Sequence, residues 1–447
     1  MITRRLKITF VFALLLVLVT LSMTGCSGSA AVLAGSSWPG VTLFDGTAYM
    51  AFANKVYAID PQTGDVRWSF PEKVDNGQTF FASPAVTDDI AVVADYRNSL
   101  FALSPADGKQ LWSFKSERSH FIGGAVIDEN LIYAATVDGV VHALDRETGV
   151  ETWSYAAEGN VWSTPLLADG VLYFTSLDRH LYALDAQTGK LSWKFPENGS
   201  DSGSSSPLGA MVSTPVLYKD VLYFGSFNNR LYALSIATRN ILWTYDTTNW
   251  VWGSPAIDEA NERLISADLD GYVRSLNLDD GSLAWEYKAT GAVVGAPLLD
   301  ELDDGTPVVY LACKGDPNLL VLSTSDGKEA IKPSPLRAEF TTKILFIDTG
   351  TDIRTIPVFS SPVAADGLLL IGAHEGNNTL YGLDRETLQE AWHFSPITHE
   401  EQVQEQQKQE NGEQPESFLT SPWMNAILMI TVVMLMLTLL RRGRPQK

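Results

Sequence analysis

Short runs of alternating apolar and polar residues fill most of the chain, and turn-forming residues separate them. One unit, residues 160–195, contains four such runs, which read NVWSTPLLA, VLYFTSL, HLYAL and LSWKF. Asp169 and Gly170 lie between the first two runs, and a segment that begins at Asp185 and includes Gly189 precedes the last. Alternation with a period of two predicts half-buried strands, and Asp-Gly pairs are typical of hairpin turns. The unit therefore predicts four antiparallel strands.

The same unit occurs eight times, and a Trp near the end of its fourth strand marks most copies. The marked positions are Trp68, Trp112, Trp153, Trp193, Trp243, Trp285, Ile331 in a degraded copy, and Trp392. Most intervals between them are about 40 to 50 residues, the repeat length of a β-propeller with four strands per blade. We predict an all-β, eight-bladed β-propeller over residues 36–394.

The repeated motif A-x-D-x-x-T-G-x-x-x-W resembles the repeat of pyrroloquinoline quinone-type (PQQ-like) propellers. That family contains the quinoprotein alcohol dehydrogenases and the BamB-type outer-membrane assembly lipoproteins. The resemblance implies that the Trp packs between neighbouring blades. The residues that we assign to this structural motif are Asp60, Gly64, Trp68, Trp112, Asp145, Gly149, Trp153, Asp185, Gly189, Trp193, Trp243, Trp285, Asp384 and Trp392. A motif present in every blade does not mark a unique site, so function is sought elsewhere.

The N-terminal end carries a membrane signal. A positive start, MITRRLK, is followed by an apolar run from Ile8 to about Met23 and by small residues, which together are typical of a secretory signal. The MTGC sequence that ends at Cys26 resembles the lipobox of bacterial lipoproteins, and this resemblance implies that Cys26 carries a lipid. We predict a lipoprotein signal peptide over residues 1–25 and a short linker over 26–35.

The C-terminal end carries a second membrane signal. Residues 423–440 are apolar and without a charge, which predicts a transmembrane helix, and a basic tail follows over 441–447. A Glu- and Gln-rich linker over 395–422 precedes the helix. Positive residues flank the cytoplasmic side of a membrane, so the tail is expected inside and the propeller outside. We therefore expect the protein at the bacterial cytoplasmic membrane.

The composition limits the possible partners and cofactors. A formal net charge of −21 argues against nucleic acid, whose binding needs clustered Lys and Arg. The chain has 2 Cys, Cys26 and Cys313, so it lacks the adjacent pair that the resemblance implies for a quinoprotein alcohol dehydrogenase. Its 6 His residues show no zinc-binding spacing. We predict no catalytic residue, no metal ion, no cofactor and no nucleic-acid partner.

One segment does not fit the repeat. Residues 344–352 read ILFIDTGTD, which is similar to an aspartic-protease signature. That chemistry requires two carboxylates that share a proton, whereas the chain has a single Asp-Thr-Gly. We interpret the segment from about Lys332 to Pro357 as an insertion between blades seven and eight. It is expected to form a β-hairpin whose turn lies at Asp348 to Asp352.

Apolar residues recur just before the small residues that open the first strand of a blade. These positions are held by Phe81, Ile122, Trp162, Val212, Trp252, Val294 and Phe359. Because the first strand of each blade lines the central channel of a propeller, we expect these residues to ring one end of it, which we term the channel mouth. The predicted partner-binding residues are the four aromatic ones, Phe81, Trp162, Trp252 and Phe359. The alternative is that they only pack between blades.

These observations lead to one hypothesis and two alternatives. We predict a non-enzymatic, membrane-anchored, extracytoplasmic scaffold for protein–protein interaction in envelope protein assembly, secretion or membrane insertion. The BamB-type resemblance implies the assembly role. One alternative is a PQQ-dependent dehydrogenase, which dye-linked oxidation of alcohols or sugars would reveal after addition of the quinone and calcium. The other is an extracellular ligand sensor, which requires a polar, aromatic-lined pocket at the channel mouth.

Overall fold

The computed structural model of the chain describes residues 40–73, 78–80, 82–117, 119–197, 207–344, 347–373, 378–396 and 399. Contacts divide the chain into two units, Met1–Phe394 and Ser395–Lys447, and the strands all belong to the first. The predicted signal peptide, the lipid attachment at Cys26 and the predicted helix over 423–440 lie outside the described residues. Within the described ranges, no helix has the length and apolarity needed to span a membrane.

Each blade is an antiparallel sheet of four strands that follow one another in the chain. Blade one contains β1 (Gly40–Phe44), β2 (Thr47–Phe52), β3 (Lys55–Ile59) and β4 (Val66–Phe70). Blade two contains β5 (Ala85–Val86), β6 (Ala91–Ala94), β7 (Ser99–Leu103) and β8 (Gln110–Lys115). Blade three contains β9 (Val126–Ile127), β10 (Leu131–Ala135), β11 (Val140–Asp145) and β12 (Glu151–Ala156). Blade four contains β13 (Leu166–Ala168), β14 (Val171–Thr175), β15 (Leu181–Asp185) and β16 (Leu191–Phe195).

The other four blades repeat this arrangement. Blade five contains β17 (Val216–Tyr218), β18 (Val221–Ser226), β19 (Arg230–Ser235) and β20 (Ile241–Asp246). Blade six contains β21 (Ala256–Asp258), β22 (Arg263–Ala267), β23 (Tyr272–Asn277) and β24 (Leu283–Lys288). Blade seven contains β25 (Leu298–Glu301), β26 (Pro307–Ala312), β27 (Leu319–Ser323) and β28 (Glu329–Ser334). After a hairpin, blade eight contains β31 (Val363–Ala365), β32 (Leu368–Gly372), β33 (Leu380–Asp384) and β34 (Glu390–Phe394). Over the described residues, the predicted eight four-stranded blades are confirmed.

The first strand of a blade is shorter than the alternation predicts. In blade four, pairing with β14 begins at Leu166, although the apolar run begins at Asn160. Pro165 has no backbone N–H to donate to a ladder, so regular pairing starts only after it. The residues before it are left free to face the channel.

The core lies between neighbouring sheets. One apolar cluster joins Tyr133 and Ala143 of blade three to Leu172, Phe174 and Tyr182 of blade four, and all five are fully buried. Burying a large apolar side chain contributes about 1.5–3 kcal/mol, so repeated clusters of this kind hold adjacent blades together.

A turn and a Trp join each blade to the next, an arrangement that we term the clasp. In blade four, the Asp185 carboxylate accepts hydrogen bonds from the backbone N–H and the hydroxyl of Thr188, at 2.8 and 2.6 Å. The Thr188 hydroxyl bond lowers the pKa of Asp185. Gly189 has a φ of +67° and lies against the ring of Trp153 from blade three. The Nε1 of Trp153 donates to the carbonyl of Ala186 at 3.1 Å, so the clasp connects two blades.

The same clasp closes the ring. Trp392 of blade eight donates from Nε1 to the carbonyl of Pro61 in blade one, at 3.0 Å. A Cβ on Gly64, which has a φ of +77°, would lie 2.6 Å from the Trp392 ring. The rings of Tyr57 and Phe394 meet edge to face at 5.0 Å. Because blades one and eight are each built from consecutive strands, the ring closes without strand exchange.

The clasp differs at two positions. In blade five, Arg239 replaces the Gly at a φ of +56°, and its guanidinium lies 5.9 Å from the ring centroid of Trp193. Between blades seven and eight, Ile331 replaces the Trp and Leu388 replaces the Gly. Leu388 keeps a φ of +56° and is only 5% exposed, in one apolar cluster with Ile331. Blade eight therefore fills this interface with Leu388, whereas at the other interfaces the earlier blade fills it with a Trp.

Leu388→Gly is expected to lower the free energy of unfolding by about 2 kcal/mol. The loss of a buried Leu side chain destabilises the fold by more than the relief of backbone strain at the left-handed φ stabilises it. Ile331→Trp alone is expected to cost about 1–3 kcal/mol by overpacking. The double variant recreates the usual Trp–Gly pair and should lose less than the sum of the single losses, as measured by thermal unfolding. Additive losses would show that the two residues do not share one space.

The insertion is a two-stranded hairpin, as expected, but its predicted turn is wrong. The strands are β29 (Arg337–Ile344) and β30 (Ile347–Thr355), so the chain reverses before Asp348 and the Asp-Thr-Gly lies within β30. Thr342 pairs with Gly350 and Lys343 pairs with Asp348, which leaves one extra residue in β30 as a bulge. The bulge accommodates a sequence that is otherwise typical of a turn.

Candidate binding site at the channel mouth

A cavity of about 780 Å³ opens at one end of the central channel. The predicted mouth residues that line it are Ile122, Trp162, Val212, Trp252, Val294 and Phe359. Residues from separate blades thus meet around one opening because the repeat places each of them at the same point before a first strand. Phe81, the remaining predicted residue, lies outside the described part of the chain.

Hydroxyl groups in the channel wall join neighbouring blades. Thr164 accepts a hydrogen bond from the N–H of Gly124 at 2.8 Å, and its carbonyl accepts one from the Thr214 hydroxyl at 3.0 Å. On the other side of the ring, the Ser361 hydroxyl accepts from the N–H of Ala296 at 2.8 Å. These groups already serve structural bonds, so the wall presents mainly apolar surface to the cavity.

The cavity lining carries little chemistry. Among the described residues that line it, none has a carboxylate, an imidazole or an amine. The described ranges also contain no group of three or more His, Cys, Asp and Glu residues that could hold a metal ion. Cys313 is buried and free. This lining suits the binding of apolar or aromatic groups more than proton transfer or metal-assisted chemistry.

Groups with displaced pKa values lie away from this lining. Burial is the main cause that raises the pKa of Tyr223 and of Tyr287 to about 12. Both tyrosines sit within blades, where desolvation disfavours the phenolate. The raised pKa values of Tyr223 and Tyr287 therefore reflect packing within the blades rather than chemistry at the cavity.

Three aromatic rings lead from the surface into the cavity, and we term them the mouth aromatic stack. Trp250, 43% exposed, stacks on Phe227 with ring centroids 4.5 Å apart and an interplanar angle of 16°. Phe227 lies 5.4 Å from Trp252, which lines the cavity. Stacked aromatic surface of this kind offers large contact area at low cost in side-chain entropy.

Sequence reasoning missed two members of this stack. Trp250 has a local signal, because it alternates with buried Val251 and so shares a side of the chain with Trp252. Phe227 has none, because it lies in the loop between β18 and β19 and reaches the other two only through the fold.

Other aromatic groups complete the rim. Tyr96, which lines the cavity, is 38% exposed and stacks on His120 with centroids 4.8 Å apart. Lys314, in the loop after β26 of blade seven, places its ammonium 4.4 Å from the ring centroid of Phe359. A cation over a ring face is a favourable contact, and it fixes Phe359 at the lip of the cavity.

A family model described as "Outer membrane protein assembly factor BamB" matches residues 28–121, 97–226 and 200–332. These overlapping segments run from 28 to 332, which is more than half of the chain. They include Trp162, Trp252 and both other members of the mouth aromatic stack.

Three curated proteins contain similar segments. The serine/threonine-protein kinase AfsK of Streptomyces griseus is 29% identical over 136 residues, which cover 29% of this chain and 17% of AfsK. The outer membrane protein assembly factor BamB of Salmonella typhimurium is 28% identical over 144 residues, 29% of this chain and 36% of the relative. The quinoprotein alcohol dehydrogenase PedE of Pseudomonas putida is 31% identical over 72 residues, which cover 16% of this chain and 11% of PedE. The chain thus spans only a minor part of the length of each.

Solved structures share the fold. The computationally designed Ika8 protein superposes with a TM-score of 0.59 at 14% identity, covering 80% of this chain and 97% of that one. A europium-containing methanol dehydrogenase superposes with a TM-score of 0.52 at 13% identity, and the match covers 61% of this chain and 72% of the dehydrogenase. At these identities the likeness concerns the fold alone.

The expected location at the bacterial cytoplasmic membrane is wrong. It depended on a transmembrane helix predicted over 423–440, which lies outside the described residues. The matching family model and the Salmonella relative are both named for outer membrane protein assembly. These findings replace the cytoplasmic-membrane expectation.

Proposed function

Because this chain belongs to the family described as outer membrane protein assembly factor BamB, we propose that it is a non-enzymatic scaffold for outer-membrane protein assembly. Its channel mouth is the surface that binds a protein partner. The observation that carries this proposal is the cavity of about 780 Å³, with an aromatic rim and an uncharged lining. Cys26, outside the described residues, is the proposed point of lipid attachment.

The lining selects the chemistry of the partner. Trp162, Trp252 and Phe359 present rings to the cavity, whereas the hydroxyls of Thr164 and Thr214 in its wall are engaged in bonds between blades. Binding of apolar and aromatic side chains to such a surface is favourable, because it removes apolar area from water. A charged group that bound there would lose its hydration without gaining a partner. An unfolded polypeptide that exposes such side chains fits the mouth. Phe81 belongs to the same proposed set.

A second candidate, a PQQ-dependent dehydrogenase, is favoured by the 72-residue similarity to PedE. The described residues of the mouth do not fit the quinone: they offer no carboxylate for a calcium ion and no acid–base group for the reaction. Reproducible dye-linked oxidation by the full chain, after addition of the quinone and calcium, would favour this candidate over the scaffold.

The scaffold proposal is tested by photocrosslinking. A photoreactive residue at Ser254, which lines the cavity, is expected to crosslink to a urea-unfolded outer-membrane barrel protein after dilution, but not to the same barrel when folded. The matched control is a photoreactive residue at Leu242, an apolar side chain 53% exposed on the outer strand of blade five. Equal crosslinking from both positions, or none from Ser254, would contradict the proposal.

A further inference from the structure

The hairpin between blades seven and eight stands on a fixed base. Asn318, fully buried, donates from Nδ2 to the carbonyl of Ile356 at 2.5 Å and accepts from the N–H of Leu336 at 2.7 Å. Leu336 and Ile356 are themselves buried in the cluster that joins the two blades. A buried amide with both ends bonded holds its partners in one geometry, so the two strands leave the propeller in a defined direction.

Above this base, the two strands of the hairpin pair with each other. β29 has 8 residues and β30 has 9, and in the described part of the chain no third strand pairs with either. Each strand therefore has an outer edge on which no described strand forms a ladder, and such an edge is a template for a further strand. Ile353 on β30 is 60% exposed, so apolar surface accompanies the edge.

The hairpin is continuous with the channel mouth. Phe359, which lines the cavity, follows closely after Ile356 at the hairpin base. The Thr355 hydroxyl at the end of β30 donates to Asp316 at 2.7 Å, in the same loop as Lys314, which lies over Phe359. These contacts connect the base of the hairpin to the aromatic rim.

We propose that an outer edge of the β29–β30 hairpin binds an extended strand of the client, an unfolded outer-membrane polypeptide, by β-augmentation. This strand delivers its side chains to the channel mouth. This inference rests on the proposed function of the mouth. A helix has already satisfied its own backbone groups, so only an extended backbone complements an unpaired edge. The strand lengths also suit the client class, because a strand of a membrane barrel has about 9–11 residues.

The test uses a shortened hairpin in the full chain. Asn-Gly replaces residues 340–352 and joins Glu339 to Ile353, which face each other in the register, so the buried base is kept. The probe is a fluorescent peptide of about ten residues that alternates Tyr or Val with Ser or Thr. A second peptide is N-methylated at two adjacent central residues, which removes one donor from each edge. The unmodified peptide is expected to bind the native chain at least about tenfold tighter than the methylated one, and the shortened variant should bind both with the same weak affinity.

Separate outcomes distinguish the edge from the mouth. Equal binding of the two peptides by the native chain would overturn the inference, as would a shortened variant that still discriminates between them. Unchanged thermal unfolding shows that the shortened variant keeps its blades. Failure of the crosslinks from Ser254 would instead contradict the proposed function itself, because that position reports on the cavity and not on the hairpin edge.

Discussion

Trp252→Ala is expected to weaken binding of unfolded outer-membrane polypeptide by about tenfold or more. Trp252 joins the cavity to the mouth aromatic stack, with its ring 5.4 Å from that of Phe227. Truncation removes the central contact surface and exposes one face of Phe227 to water. Loss of a central aromatic anchor commonly costs 2 kcal/mol or more, and tenfold corresponds to about 1.4 kcal/mol. Fluorescence titration of the labelled polypeptide measures the change.

Two further variants locate this effect. Trp250→Ala removes the exposed end of the stack and is expected to cause a smaller loss, because part of that ring already faces water. Leu242→Ala, the matched control on the outer strand of blade five, should bind as the native chain does. If Trp252→Ala keeps native affinity while its thermal unfolding is unchanged, the mouth is not the binding surface and its rings only pack between blades.

Gly149→Ala is expected to lower the free energy of unfolding by about 3 kcal/mol. Gly149 has a φ of +71°, a conformation that costs an L-residue about 1–2 kcal/mol. The added Cβ would also overlap the ring of Trp112 from blade two, which is 8% exposed and donates to the carbonyl of Arg146 at 2.9 Å. Displacing that ring adds overpacking strain.

Gly170→Ala provides the matched control, because it shares the backbone strain without the contact. Gly170 has a φ of +73° and has nothing within 4 Å of the position of a Cβ. This variant is expected to lose only about 1 kcal/mol. Thermal unfolding of both variants measures the difference, which isolates the contact with Trp112. Equal losses would show that the clasp contributes no more than turn geometry.

Much of the fold could be predicted from local sequence. Residues 160–195 carry alternation and turn residues that predicted four strands, and the eightfold recurrence predicted the number of blades. Both predictions are confirmed in the described residues, and the family match confirms the resemblance to PQQ-like propellers. The first strand of blade four was predicted too long because alternation continues through Thr164 and Pro165, whereas the ladder of hydrogen bonds to β14 begins only at Leu166.

The candidate site was predicted only in part. The phase of the repeat indicated which residues surround the channel, and Trp162, Trp252 and Phe359 do line one cavity. Their role in binding stays a prediction. Phe227 could not be found in this way, because its place in the stack depends on a loop of another strand pair.

The sequence by itself determined the four-stranded unit, the hairpin turns within the blades and the blade count, because each depends on residues within one unit or on the recurrence of that unit. Tertiary structure alone decided how the ring closes, where Trp392 of the last blade bonds Pro61 of the first. It also decided that Leu388 occupies the space opposite Ile331. Such pairs are selected by complementary volume and by hydrogen bonds across an interface, and neither property is visible in the residues that flank each partner.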